Sequence, residues 1–134
     1  MNTSRRSIIA LASAAFAATL ALVAPDTAFA QARIVSGQFA AAVTAGRPEG
    51  DTAAIAAARN AAYYVVVANS GEPTTITWVW KLDGREVGRQ TMDVGRAPRW
   101  RTWATHRTRG AHSITVDILD AAGAQLHTET ATLP

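Results

Sequence analysis

The residues best equipped for chemistry crowd into positions 96–109, where five arginines (Arg96, Arg99, Arg101, Arg107 and Arg109) and two tryptophans surround the core run Arg99-Trp100-Arg101-Thr102-Trp103. A guanidinium is a planar fork of N–H donors that grips carboxylate, sulfate or phosphate two bonds at a time. A tryptophan face adds a platform on which a sugar ring or a base stacks. On a regular strand Arg99, Arg101 and Trp103 share one face, and Trp100, Thr102 and Ala104 share the other. Trp100 is therefore expected in the core and Trp103 outside among the arginines. The same residues suit a second role: Arg and Trp interleaved on a sheet face brace it by cation–π contacts of ~0.5–1 kcal/mol each, with the guanidiniums paired to Asp93, Asp117 or Glu129. Both readings remain open at this level.

Other chemistries find less material. His106, His112 and His127 have no recognised ligand spacing to Asp117 or Asp120, so no metal site is expected. His112 shares the face of Ile114 and Val116 and is expected to be partly buried, while His127 and Glu129, two apart, read as a solvated pair. After the first thirty residues the serines are Ser36, Ser70 and Ser113, and none sits in a Gly-x-Ser-x-Gly turn. The acids Glu49, Asp51, Glu72, Asp83 and Asp120 fall mainly at turns, where acids usually face solvent. The chain has no cysteine, which excludes thiol catalysis, thiolate zinc sites and iron–sulfur clusters. No catalytic set and no cofactor are expected. The enzyme alternative is a small periplasmic hydrolase in which His106 meets Asp117.

The first thirty residues carry Arg5 and Arg6, an apolar run over 8–24 and an Ala28-Phe29-Ala30 site, the pattern of a cleavable secretory signal. Ser4-Arg5-Arg6-Ser7-Ile8-Ile9 resembles a twin-arginine start, so the export route stays open between the general and twin-arginine pathways. No cysteine follows the run, so a lipoprotein anchor is excluded; an uncleaved inner-membrane anchor is the rival. Cleavage after Ala30 of the 134 residues leaves 104, enough for one domain with one core over 31–134. The formal charge of +3 falls to +2 once Arg5, Arg6 and Asp26 are gone. A modest total with a dense local cluster implies a patch, not a polycation, and argues against nucleic acid as partner.

Period-two alternation supplies the elements that must hold this cluster. Residues 33–43 alternate weakly and read as a first strand, 47–51 as a turn, and 52–58 as a short helix behind an Asp51 or Thr52 cap. Residues 62–68 carry Tyr63, Tyr64 and three valines; one tyrosine must face the core, and the other is free to join an aromatic surface near the arginines. In 74–82, Ile76, Trp78, Trp80 and Leu82 face one way, which marks a core strand. Asp83-Gly84 turns the chain into 85–94. The 96–103 segment, a strand holding Ile114, Val116 and Ile118, and a last strand over 125–133 complete seven. Seven short strands without a long helix indicate an antiparallel two-sheet sandwich of immunoglobulin-like character, with a small closed barrel as the alternative. Trp78, Trp80, Trp100, Ile114 and Val116 are the expected core.

In this order the residues resemble a bacterial family known as domain of unknown function 2914. The matching positions are Trp80 and Gly84, then Arg99-Trp100-Arg101-Thr102-Trp103, then Gly110 with Ile114 and Val116, then Gly123 and Leu126. The similarity runs over most of 33–133, and the Arg-Trp-Arg run is its most specific part. Trp78 stands where the family has His, Ala104 where it has Ser, and His112 where it has Trp, which weakens any chemical role for those positions here. The resemblance implies a secreted or membrane-tethered β domain without an assigned activity.

The expected function is that of an exported, non-enzymatic domain of the cell envelope, binding through Arg96, Arg99, Arg101, Trp103, Arg107 and Arg109. The partners that fit are an envelope glycan, an anionic lipid headgroup or an acidic periplasmic protein. A purely structural domain that assembles through an edge strand is the alternative.

Overall fold

A computed structural model describes residues 32–134; the expected signal segment and its expected cleavage site lie outside the described residues. The described chain is all-β, with nine strands, three antiparallel sheets and one short helix. In chain order the strands are β1 (Ala32–Ala40), β2 (Ala42–Thr44), β3 (Arg47–Glu49), β4 (Asn60–Asn69), β5 (Thr74–Leu82), β6 (Arg85–Val94), β7 (Ala97–Arg107), β8 (Ser113–Leu119) and β9 (Gln125–Thr132), with α1 (Thr52–Ala58) between β3 and β4. The first sheet has the order β1-β4-β7, the second β6-β5-β8-β9, and β2 pairs with β3 alone. Each of the larger sheets keeps two open edges, so there is no closed barrel.

Seven strands were expected, and the two extra ones come from one hairpin. Residues 47–51 are not the turn: Ala45 and Gly46 take left-handed φ of 52° and 75° and turn the chain, so Arg47–Glu49 pairs back onto β2. Pro48 is tolerated in this isolated two-stranded ladder because it is not required to donate to a flanking strand. α1 starts where expected, with Asp51 Oδ1 accepting the Ala54 amide at 3.0 Å.

One core joins the two large sheets. The inward row Ile76, Trp78, Trp80 and Leu82 of β5 meets Tyr63, Val65 and Val67 of β4 and Ile114, Val116 and Ile118 of β8. Trp78 donates its indole N–H to the Tyr63 carbonyl at 3.1 Å and Trp80 to Gln90 Oε1 at 2.8 Å, so the polar edges of both rings are satisfied on burial. Trp78, Trp80, Ile114 and Val116 are wholly buried, as their alternation requires.

Trp100 is a correction. It lies on the inward side of β7 but remains 36 % exposed. Strand β7 pairs only with β4 and forms the sheet edge. There Trp100 lies across Gly95, whose missing side chain leaves room for the indole: a Cβ on Gly95 would come within 2.6 Å of the ring. Alternation assigned the face correctly; the edge position determined the depth.

Candidate binding surface

Central strand β4 is apolar on both faces, and its outward residues Tyr64 and Val66 are buried despite pointing away from the core. Tyr64 is covered by its β7 neighbour Trp103, with ring centroids 5.8 Å apart and planes 16° from parallel. Its hydroxyl donates to the Gly46 carbonyl at the tip of the β2–β3 hairpin, 3.0 Å away. Trp103 therefore leans on a tyrosine, not on a guanidinium, and keeps 36 % of its surface exposed. Tyr64 is the tyrosine that joins the aromatic surface, although it is buried beneath it.

Around this aromatic pair the first sheet is cationic. The register places Val66 opposite Arg101 and Ala68 opposite Arg33, and Arg99 and Arg101 are exposed two residues apart on β7, ~7 Å along the strand. The three strands of this sheet carry Arg33, Arg99, Arg101 and Arg107 and not one carboxylate. Among the described residues none of these guanidiniums, nor those of Arg96 and Arg109, has a salt bridge. The carboxylates open to a bracing role are engaged otherwise or stand alone: Asp117 lies 2.9 Å from Lys81 and accepts from Thr128 at 2.6 Å, Glu129 accepts from Tyr63, and Asp93 has no ion-pair partner among the described residues.

The six expected binding residues do not form one patch. Strand β7 is 11 residues long, ~36 Å from end to end, and it distributes them. Arg99, Arg101 and Trp103 lie on the open sheet face. Arg96 lines a cleft of about 480 Å³ at one end with Arg33, Ala68, Asn69 and Pro98. There buried Asn69 fixes the chain by donating to the Glu72 and Gly95 carbonyls at 3.0 and 3.2 Å. Arg107 and Arg109 line another cleft at the far end, described below.

The histidines are also redistributed. His112 is exposed, not half-buried, because strand β8 begins only at Ser113 and His112 belongs to the preceding bend. His106 and Asp117 do not converge: His106 sits 5.7 Å from the Trp80 ring, with Nδ1 2.7 Å from the Arg107 carbonyl, while Asp117 faces Lys81. His127 and Glu129 are not a solvated pair. The β8–β9 register sets them beside Ile118 and Val116 on the inner side. Both meet the buried Tyr63 hydroxyl, which donates to Glu129 Oε1 at 2.6 Å and lies 2.9 Å from His127 Nε2. Burial, then the Glu129 hydrogen bond and charge, push the Tyr63 phenol well above its ordinary range, so the group ties β4 to β9 in its neutral form. The sequence signal was available: His127 and Glu129 share the parity of Ala131 and the buried Leu133, and a buried tyrosine hydroxyl needs a partner.

Fold and site together define an all-β domain with an open arginine-rich sheet face. Residues 73–129 match the model of a family described as protein of unknown function (DUF2914), and over that stretch the chain is similar to it. The match contains 96–109, with the Arg-Trp-Arg run, but not β1 or Arg59. No curated protein and no solved structure matches the chain.

Proposed function

We propose that this protein is an exported, non-enzymatic binding domain of the cell envelope that holds an acidic glycan on the outer face of its first sheet. The observation carrying this reading is that Arg33, Arg99 and Arg101 stand exposed without a carboxylate on their own sheet, beside a tryptophan that is already held in place. Guanidiniums spaced along a strand suit carboxylates or sulfates repeated along a chain. Trp103, backed by Tyr64, offers its remaining surface to a sugar ring, and rigid strands keep the ordering entropy of binding low. The strand orders β1-β4-β7 and β6-β5-β8-β9 place the first, second and fifth of the seven longer strands opposite the fourth, third, sixth and seventh. That arrangement supports an immunoglobulin-like sandwich, a scaffold of stiff strands.

The test is chromatography of the full chain on an immobilised uronate polymer and on neutral dextran. Retention on the uronate alone, lost as salt rises and lost in the Arg99→Ala/Arg101→Ala variant, supports the proposal. Equal behaviour on both matrices, or unchanged retention of the variant, overturns it.

A further inference from the structure

At the end of β7 lies a cleft of about 500 Å³ lined by Arg59, Arg107, Thr108, Arg109 and His112, with Ala56 and Leu133 among its apolar members. The cations come from two places in the chain: Arg59 caps the C-terminus of α1, and Arg107, the last residue of β7, and Arg109, in the β7–β8 connection, flank Thr108. The Thr108 amide donates to the Arg59 carbonyl at 3.2 Å and so locks the two segments together. Pro134, the last residue of the sequence, also lines the cleft, no aspartate or glutamate side chain does, and none of the three guanidiniums has a salt bridge among the described residues.

Two further observations point to a ligand. Thr108 is only 2 % exposed, and its hydroxyl has no hydrogen-bond partner among the described residues. A buried hydroxyl left unpaired is a cost that a bound acceptor removes. Arg59 and Arg109 both adopt left-handed backbone, with φ of 56° and 51°. A residue with a Cβ is disfavoured there, whereas glycine or asparagine takes the conformation readily. Arg59 occupies a helix end where glycine is the usual solution. Arg109 precedes Gly110 in a turn closed by the Ala111 amide on the Thr108 carbonyl at 2.9 Å, where asparagine or aspartate is preferred. Two arginines therefore hold unfavourable backbone positions and line the same cleft.

We infer that this cleft is a phosphoryl-binding site, in which Arg59, Arg107 and Arg109 share the charge of a phosphate group, free or carried as a monoester, and the Thr108 hydroxyl donates to one of its oxygens. A compact dianion suits three guanidiniums around one cleft better than a single carboxylate does, because it offers more acceptor edges and neutralises more than one charge. The site is separate from the sheet face of Arg99, Arg101 and Trp103 and does not depend on the glycan reading.

The two backbone positions make the test discriminating. The full chain is titrated calorimetrically with inorganic phosphate, with glycerol phosphate and with sodium chloride at matched ionic strength, and its Tm is recorded in each. Wild type binds both phosphates and not chloride. Tighter binding of the ester assigns the group to a carried headgroup or sugar, and equal binding assigns it to free phosphate. Arg59→Gly and Arg109→Asn relieve the left-handed strain, so each raises Tm without ligand by roughly 2–5 °C while weakening phosphate by ~10-fold or more. Thr108→Val weakens phosphate with Tm held or raised, and Arg99→Ala/Arg101→Ala leaves phosphate binding unchanged. Phosphate indistinguishable from chloride overturns the inference, as does a fall in Tm in the Arg59 and Arg109 variants with phosphate affinity intact, which would place both arginines in the scaffold.

Discussion

The two large sheets share one core and treat charge in opposite ways. On the second sheet charges are mostly matched: Lys81 meets Asp117 across adjacent strands, and Arg89 is held bidentately by Glu86 at 2.8 and 3.2 Å. Asp83, at the end of that sheet, accepts the His112 and Ser113 amides. On the first sheet four arginines stand without any carboxylate on the same strands. Exposed ion pairs contribute little to stability, with a median of about 0–1 kcal/mol, so the second sheet gains mainly local order from its pairing. The proposed binding role rests on this contrast: paired charges fix registers and turns, whereas like charges without a salt bridge on a rigid face remain available to a partner.

The largest effect that sharpens this contrast lies in the shared core. Trp80→Ala should cost ~3–5 kcal/mol in urea unfolding, whereas Trp103→Ala, at an exposed edge, should cost ~1 kcal/mol through its lost contact with Tyr64. Equal losses would mean that the outward tryptophan is scaffold.

Next comes the link between the sheets. Tyr63→Phe removes the group shared by His127 and Glu129 and should cost about 1–3 kcal/mol. Its pH dependence follows from direction alone. The folded phenol holds its proton more tightly than the unfolded one, so its contribution is complete below the unfolded value near 10 and declines as pH rises above it. The wild type should lose stability in that alkaline range, and Tyr63→Phe should flatten the decline.

A smaller effect appears in acid. Burial opposes the Asp117 charge, but the Thr128 and Lys81 hydrogen bonds and the Lys81 charge outweigh it and hold the carboxyl below its ordinary value. Its contribution is therefore present above pH ~4 and lost as pH falls through the lowered folded value. Asp117→Asn should flatten the acid limb of a Tm-against-pH curve.

The smallest expected stability effect belongs to the arginine face. Arg99→Ala and Arg101→Ala should leave Tm within about 2 °C of wild type while abolishing uronate retention. A large loss of Tm would return these residues to a bracing role.

Alternation made the seven longer strands and most of the core legible, because Trp78, Trp80, Ile114 and Val116 repeat with a period of two beside clear turns. The β2–β3 hairpin escaped because Ala45-Gly46 carries weaker turn chemistry than the nearby Pro48 and Gly50. Trp100 had the right parity but the wrong depth, since parity gives a side chain's face and only strand order gives its distance from an edge. The arginine cluster was legible as composition. Its division into a face and two clefts was not, because that depends on strand length and on Arg33 and Arg59, which are distant in sequence.

The most direct measurement is amide NMR of the 15N-labelled full chain titrated with a uronate oligosaccharide. Shifts confined to Arg33, Arg99, Arg101, neighbouring β4 amides and the Trp103 indole N–H, with β5, β6, β8 and β9 silent, are the predicted result. Shifts centred on the second sheet, or no shifts at saturating oligosaccharide, would contradict it.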